Sequence, residues 1–205
     1  MKSKIINIAN IISFILLFIT LLTLPASGNI LDVSIELETL CSTYQHECQV
    51  EVIDSKYPQA YATRDNKIVF TTGIIKKLTE NELKSVGYHE VGHIIFNHYK
   101  RSDRFFDNFN FQDSNKAIEM RRNHEIESDL FATYIEYKHG NIPYLATALF
   151  KRTSPDKLTI ATSSHPATSY RIEYMYKFNN YLKGLKNEKN YHTSYSRFIY
   201  TKQYR

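Results

Sequence analysis

Three histidines and one glutamate lie close together in SVGYHEVGHIIFNH, residues 85–98, whose other members are typical of a buried helix. On an α-helix, His89 and His93 are one turn apart and share a face, so their imidazoles can bind one metal ion. Glu90 points about 100° away from His89, beside such an ion rather than on it. That position suits a general base acting on a water molecule that the metal activates, which is the usual interpretation of His-Glu-x-x-His. A helix with buried, hydrogen-bonded histidines is the alternative.

A catalytic zinc ion needs a third protein ligand and one open position. His98 lies nine residues after His89 and is therefore half a turn out of phase on a continuous helix, so it cannot reach the same ion. We expect His98 to pack or to form a hydrogen bond at the end of that helix. The third ligand must come from elsewhere in the chain.

The segment NHEIESDLFATY, residues 123–134, supplies a carboxylate for this role. Glu125 is followed one helical turn later by Asp129, which can accept the free N–H of a metal-bound imidazole. His124 and Glu127 compete with Glu125 by residue type. Glu127 points about 200° away from Glu125 on a helix, and only Glu125 has an acidic partner four residues later. We therefore expect Glu125 to be the ligand.

The elements that must position these residues are short strands followed by helices. The capping-box pattern of Thr79 and Glu82 begins the helix that carries His89 and His93. We expect strands VEVI at 50–53, AYAT at 60–63 and KIVFTT at 67–72, the last two joined by the turn RDN. Further helices are expected at 34–46, at 116–138, from about 143 and after 166. This order predicts an α+β fold with a small N-terminal sheet followed by a mostly helical body.

The first 28 residues differ from the rest of the chain. Lys2 and Lys4 precede an apolar run that is followed by PASGN, a pattern typical of a signal peptide. We expect cleavage before residue 29 and a single domain over residues 29–182. An uncleaved anchor over residues 5–24 is the alternative, because about 20 apolar residues span a bilayer. Either way the domain is exported, to the periplasm or the cell envelope.

The two cysteines, Cys41 and Cys48, are seven positions apart. In an exported protein such a pair predicts a local disulfide. A metal site formed by the same cysteines and His46 is the alternative, but it has too few ligands.

Basic residues are concentrated at the C-terminus. The chain has a net charge of +5, and residues 183–205 contain six Lys or Arg against Glu188 alone, with tyrosines between them. Such a composition can suit an anionic membrane surface or a nucleic acid. For an exported protein we favour a solvated extension that packs a few tyrosines. We predict a polypeptide substrate and no nucleic-acid partner, and we leave peripheral membrane association and oligomeric state open.

Three segments in order, IVFTTGIIKKLTENELKSVGYHEVGHIIFNH, EIESDLFA and SHPATSYRI, resemble the HtpX and CAAX-prenyl-endopeptidase family of gluzincin zinc metallopeptidases, in particular its small periplasmic members. The resemblance covers roughly residues 58–175. It implies a zincin-like fold and one zinc ion per chain. The ligands that it implies are His89, His93 and Glu125.

The resemblance also assigns roles to residues that are not ligands. It implies that Glu90 is the base, that Asp129 supports the ligands and that His165, in a His-Pro pair, faces the metal. Arg171 is expected to be a salt-bridge partner. Family members often have Asn before an Ala-Tyr or Ala-Phe pair, where this chain has Gln59.

These observations predict a zinc metalloendopeptidase, and the resemblance implies that it acts on exported or misfolded envelope proteins. His165 would either donate a hydrogen bond to the oxyanion or occupy the fourth zinc position as a latch. A structural role, as a cap of the helix that begins at Pro166, is the alternative. We expect KIVFTT to be the sheet edge along which an extended substrate adds as a strand. An exported zinc-binding, chaperone-like module without turnover is the alternative function.

Overall fold

The computed structural model describes residues 29–107, 114–153, 155–185, 193–196 and 198. The predicted α+β class is confirmed, since a small sheet is combined with a mostly helical body. The elements in chain order are α1 (Ile30–Thr43), β1 (Gln49–Ile53), β2 (Ala60–Ala62), β3 (Lys67–Thr71), α2 (Thr72–Lys77), α3 (Glu80–Ile95), α4 (His98–Phe106), α5 (Ser114–Lys138), α6 (Tyr144–Arg152), a short 3₁₀ turn (Pro155–Lys157) and α7 (Thr168–Gly184).

The three strands form one mixed sheet in the order β1-β3-β2. β3 pairs in parallel with β1 and antiparallel with β2. The expectation that KIVFTT lies at the sheet edge is therefore wrong, because this segment forms the central strand and its residues 68–70 are buried. β1 pairs with the edge of β3 that faces away from β2. This long-range pairing could not be predicted from the sequence of β3 alone. The edge strand that borders the candidate site is β2.

Local sequence signals set the turn and the helix starts. The turn between β2 and β3 closes with Asn66 N–H bonded to Thr63 O at 3.2 Å, and Asn66 has a φ of 61°, a left-handed conformation that Asn tolerates well. The predicted capping box at the start of α3 is present, with Thr79 and Glu82 bonded reciprocally. The Asn29 side chain caps α1, which begins four residues before the predicted start.

Helix α3 lies at the centre of the helical body and packs against α1, α5 and α6. Most of its residues from Glu82 to Gly92 are buried. A Cβ atom built on Gly92 would lie only 3.1 Å from Ser128 Cα of α5. The missing side chain therefore lets the two helices approach closely, which brings His89 and His93 opposite Glu125.

The chain breaks its helix immediately after the histidine pair. α3 ends at Ile95, Asn97 adopts a left-handed φ of 53°, and His98 begins α4. His98 therefore does not lie on a continuation of α3, although it forms a hydrogen bond at the end of that helix, as expected. The break turns the buried His98 side chain back towards α3, where it contacts His93.

Cys41 and Cys48 form the predicted disulfide, which links the end of α1 to the start of β1. Among the described helices, none combines the length and the apolar character needed to cross a membrane. The predicted signal segment lies outside the described residues, as does most of the predicted extension. Within that extension, Phe198 is buried, and its ring centroid lies 5.0 Å from that of Phe178.

Gly73 marks a close contact between α2 and the segment that follows β1. A Cβ atom built on it would lie 2.5 Å from the main-chain oxygen of Lys56. Because the obstacle is backbone, Gly73→Ala should lower the free energy of unfolding by about 1–3 kcal/mol, as measured by urea denaturation. Gly184→Ala is the control, since a Cβ there meets no atom within 4 Å. Wild-type stability of the Gly73 variant would contradict this packing.

Candidate metal centre

Three side chains from two helices direct their donor atoms to one side of an open cleft. His89 Nε2 and His93 Nε2 of α3 are 3.1 Å apart. Glu125 of α5 places Oε2 3.5 Å from His89 Nε2 and Oε1 3.4 Å from His93 Nε2. A tetrahedral zinc ion with ligands at 2.0–2.2 Å separates neighbouring ligand atoms by about 3.4 Å. The donor set therefore fits zinc in both chemistry and spacing, and it forms one group able to hold a single metal ion.

The second nitrogen of His89 faces a buried ion pair. His89 Nδ1 lies 2.9 Å from Asp129 Oδ1. Arg171 of α7 donates two hydrogen bonds to Asp129, from Nε and Nη2, both at 2.7 Å. Arg171 Nη2 also lies 3.3 Å from Glu125 Oε2. Arg171 is thus the salt-bridge partner that the sequence suggested, and the carboxylate at Nδ1 leaves His89 Nε2 for a metal.

Opposite charges keep the buried carboxylates ionised. Burial alone raises the pKa of Glu125, but the imidazoles of His89 and His93 and the charge of Arg171 hold this pKa well below its usual range. Burial also raises the pKa of Asp129, and the Arg171 guanidinium outweighs that effect and lowers it. The ionised carboxylate is the form that a metal requires.

His98 supports His93 from the other side. His98 Nδ1 lies 2.8 Å from His93 Nδ1, and His98 Nε2 lies 3.1 Å from Glu127 Oε2. Arg101 donates to the same Glu127 oxygen at 2.6 Å. When His93 offers Nε2 to a metal, its Nδ1–H donates to His98, and His98 then donates from Nε2 to Glu127. His98 and Glu127 are therefore partners of a candidate ligand and not members of the donor set.

His124 also lies near the centre without joining the donor set. Its ring stacks on His98 with centroids 4.1 Å apart and an interplanar angle of 7°. Burial lowers the pKa of His98 to about 3 and that of His124 to about 4, so both rings are neutral near pH 7. Residue type alone made His124 a competitor of Glu125, whereas the structure turns it towards His98.

Glu90 lies in the same cleft but outside the donor set. Its Oε2 accepts a hydrogen bond from Ala62 N–H at 2.8 Å. The Tyr99 hydroxyl donates to the Ala62 carbonyl oxygen at 2.7 Å. The end of β2 therefore holds the Glu90 carboxylate in place through main-chain contacts. The roles of Ala62 and Tyr99 could not be predicted from the sequence, because neither residue has a chemical signature in its local pattern.

The cleft has a volume of about 740 Å³ and runs between β2 on one side and α6 with the segment 155–168 on the other. His89, Glu90, His93 and Glu125 all line it. This arrangement leaves the donor set accessible to a molecule of peptide size. An open approach is what distinguishes a catalytic zinc site from a closed structural one.

His165 also lines the cleft. Its Nε2 lies 3.4 Å from Glu125 Oε2, and its Nδ1 lies 2.7 Å from Ser164 Oγ. Arg122 holds the same loop by donating two hydrogen bonds to Thr162 O, at 3.0 and 2.7 Å. The group of mutually close donors in the described part of the chain does not include His165. The structure therefore brings this residue to the cleft, and its role stays a prediction.

Comparison with known proteins supports the resemblance drawn from the sequence. Residues 37–106 match the family model described as Peptidase family M48, which confirms that resemblance, and peptidases of this family depend on zinc. The matched region contains the whole of α3 and ends before Glu125. No curated protein sequence matches the chain.

Among solved structures, the chain is similar to that of Ste24p from S. mikatae, with a TM-score of 0.46 and 17% sequence identity. The similarity covers 70% of this chain and 49% of that chain. The present chain thus aligns with about half the length of Ste24p.

Replacement of the third donor should remove the metal. We expect wild-type protein to hold about one zinc ion, because the donor set forms one site. Glu125→Ala should lose most of it, as measured by metal analysis after gel filtration. Glu119→Ala, an exposed carboxylate of the same helix, is the control and should keep its zinc. Full zinc content in the Glu125 variant would remove this residue from the donor set.

Replacement of His98 should weaken zinc binding without abolishing it. His98→Phe keeps a ring against His124 but leaves His93 Nδ1 without its acceptor. Loss of such a supporting contact typically lowers metal affinity about 10–100-fold. Chelator competition should show this decrease, with about one zinc ion still bound at saturation. Unchanged affinity would show that the contact between the two imidazoles does not orient His93.

Proposed function

We propose that this chain is a zinc metalloendopeptidase that hydrolyses peptide bonds in exported or misfolded envelope proteins. The observation that carries this proposal is the separation of roles among neighbouring side chains. His89, His93 and Glu125 place their donors 3.1–3.5 Å apart, whereas Glu90 faces the same cleft and is held by β2. A site that only stores or senses zinc has no need of an additional carboxylate in this position.

The donor set would hold zinc through the two imidazoles and the Glu125 carboxylate. Zinc in this position supplies Lewis acidity, which lowers the pKa of a water molecule and polarises the substrate carbonyl group. Asp129 and His98 would keep the two ligand rings in the orientation and tautomer that this requires.

Glu90 would move the proton during hydrolysis. Its Oε2 is engaged by Ala62 N–H, and no hydrogen bond to Oε1 is present in the described part of the chain. We infer that Glu90 takes a proton from the attacking water and delivers it to the leaving amine. The contact with β2 limits rotation of the carboxylate, so the proton acceptor is oriented before substrate binds.

The free edge of β2 offers a place for the substrate backbone. Thr71 N–H bonds Gln59 O, and Thr63 N–H bonds Lys67 O. Because hydrogen bonding alternates along an antiparallel ladder, Gln59 and Thr63 face β3, whereas the main-chain groups of Ala60 and Ala62 point outward. Ala62 is already engaged by Glu90 and Tyr99.

Ala60 is therefore the residue of β2 whose N–H and carbonyl we assign to the substrate. An extended peptide would add to this edge as a further strand, next to Glu90. Binding through main-chain groups selects for extended, unfolded segments more than for a particular sequence. This preference supports misfolded proteins as the substrate class.

We assign His165 the role of hydrogen-bond donor to the oxyanion. Ser164 engages Nδ1 and leaves Nε2 directed to the side of Glu125. A latch on the fourth zinc position would need His165 to be close to all three donors, and it is not part of that group. The ring is half-exposed, so a substrate carbonyl can reach it from the cleft.

The disulfide between Cys41 and Cys48 supports an exported location, since such bonds persist in oxidising compartments. The signal-peptide pattern in residues 1–28 also supports an exported location. We propose the periplasm or the cell envelope as the site of action.

Glu90→Gln tests the catalytic role. The variant should keep its fold, its zinc and its affinity for an unfolded model protein, because Glu90 is not a donor. Turnover should fall by about 10²–10⁴-fold or more, since a general base is lost. The measurement is the cleavage rate of the unfolded protein, with and without a zinc chelator.

Glu119→Gln serves as the matched control and should cleave at the wild-type rate. If the wild type holds zinc and binds unfolded protein but cleaves no peptide in a broad library, the chain is a binding module and the peptidase proposal is wrong. Equal turnover by wild type and Glu90→Gln would also exclude Glu90 as the base.

A further inference from the structure

One wall of the cleft combines apolar side chains with a single cation. Leu145, Leu149 and Arg152 follow one another along α6 at helical spacing, and all three line the cleft. Val86 adds to the same wall from α3, one turn before His89. Residues at positions i, i+4 and i+7 share a helix face. They therefore form a slot that begins beside the metal centre, with apolar sides and a guanidinium group at one end.

Arg152 differs from its basic neighbours in having no ion-pair partner among the described residues. Arg171 is paired with Asp129, and Lys151, the preceding residue, is paired with Glu82. Among the described residues, no carboxylate or hydrogen-bond acceptor contacts the Arg152 side chain. The Arg152 side chain is half-buried and has lost much of its contact with solvent. This burial lowers the pKa of Arg152, although a guanidinium stays charged in any protein.

An unpaired charge that is withdrawn from water is unfavourable. The carboxylates of Glu90 and Glu125 attract Arg152 through space, but neither reaches ion-pair distance, because each is held elsewhere. Glu90 is bonded to Ala62, and Glu125 faces the two imidazoles. The Arg152 guanidinium is therefore free to bind an anion that enters the cleft.

We infer that Arg152 binds a carboxylate group of the peptide substrate and thereby determines substrate specificity. This inference rests on the proposed peptidase function. Methylene groups of the substrate lie against Val86 and Leu149, and the carboxylate meets the guanidinium, which suits bidentate pairing. Because the slot begins beside His89, the carboxylate belongs to a residue close to the scissile bond.

The carboxylate can come from two sources, an internal Glu side chain or the free C-terminus of the substrate. Both present the same group to Arg152. An internal Glu leaves the enzyme an endopeptidase with a preference for acidic residues. A free C-terminus would restrict cleavage to the end of a chain.

The test uses matched fluorogenic peptides that differ only by Glu or Gln at each position within two residues of the cleaved bond. Each peptide is made with a free and with an amidated C-terminus. Wild-type protein should show a kcat/KM about 10–100-fold higher for the preferred carboxylate, as expected for a charge-assisted pair. A preference that survives amidation identifies the Glu side chain, and one that disappears identifies the C-terminus.

Arg152→Gln should abolish this preference while the rate on the neutral peptide stays within about threefold, since only a charge-assisted pair is lost. Lys151→Gln is the matched control, because it removes the same charge from the neighbouring residue, which pairs with Glu82 outside the cleft. It should keep the wild-type ratio. Arg152→Glu should favour a peptide with Lys in the same position.

The inference would be overturned by an equal loss of activity on carboxylate and neutral peptides in Arg152→Gln, or by loss of the preference in Lys157→Gln instead, since Lys157 also lines the cleft. The first would mean that Arg152 has a general role, and the second that another cation of the cleft binds the substrate. Absence of any preference in wild type would overturn it as well.

Binding measurements separate this inference from the proposed function. Glu90→Gln with zinc bound should bind the carboxylate peptide more tightly than the neutral one, as measured by fluorescence anisotropy, whether or not wild type cleaves either peptide. Selective binding without cleavage would sustain the role of Arg152 and reject the peptidase function. Cleavage without selective binding would sustain the peptidase function and reject the role of Arg152.

Discussion

The buried pairing of Arg171 with Asp129 is the interaction on which the rest of the site depends. It joins α7 to α5 through two hydrogen bonds of 2.7 Å, and it places Asp129 against His89 on α3. Breaking a buried ion pair by removing one partner typically costs about 3–5 kcal/mol, because the other charge is left in the interior. The pair therefore locks three helices in a relative position that the metal donors require.

The two imidazoles of the donor set are supported in different ways. His89 faces a carboxylate that is neutralised by Arg171, whereas His93 faces the neutral ring of His98, which in turn contacts Glu127. Both arrangements leave Nε2 directed to the same point. We infer that the site is organised before zinc arrives, which limits the rearrangement that binding would require.

The sequence predicted much of this centre because helical periodicity is a local property. The spacing of His89 and His93, and of Glu125 and Asp129, places each pair on one helix face, and the capping box identifies the start of α3. These features depend only on residues within a few turns of one another.

The parts that were missed depend on the backbone or on distant contacts. A hydrogen bond from His98 at the end of the helix was expected, but its partner was not, because the left-handed Asn97 ends that helix and turns the ring back to His93. KIVFTT was placed at the sheet edge, although its apolar run is also typical of a strand buried on both faces. Arg152 has no ion-pair partner within the described part of the chain because the nearby carboxylates are held by other groups, and no local sequence pattern reveals this.

The central claim is that one zinc ion lies between His89, His93 and Glu125, with Glu90 beside it and not bound to it. Anomalous diffraction at the zinc edge from crystals of the zinc-loaded protein tests this most directly. The account predicts one peak about 2.0–2.2 Å from His89 Nε2, His93 Nε2 and a Glu125 carboxylate oxygen, and a longer distance to both Glu90 oxygens. A peak ligated by Glu90 or His98, or one outside this cleft, would contradict it.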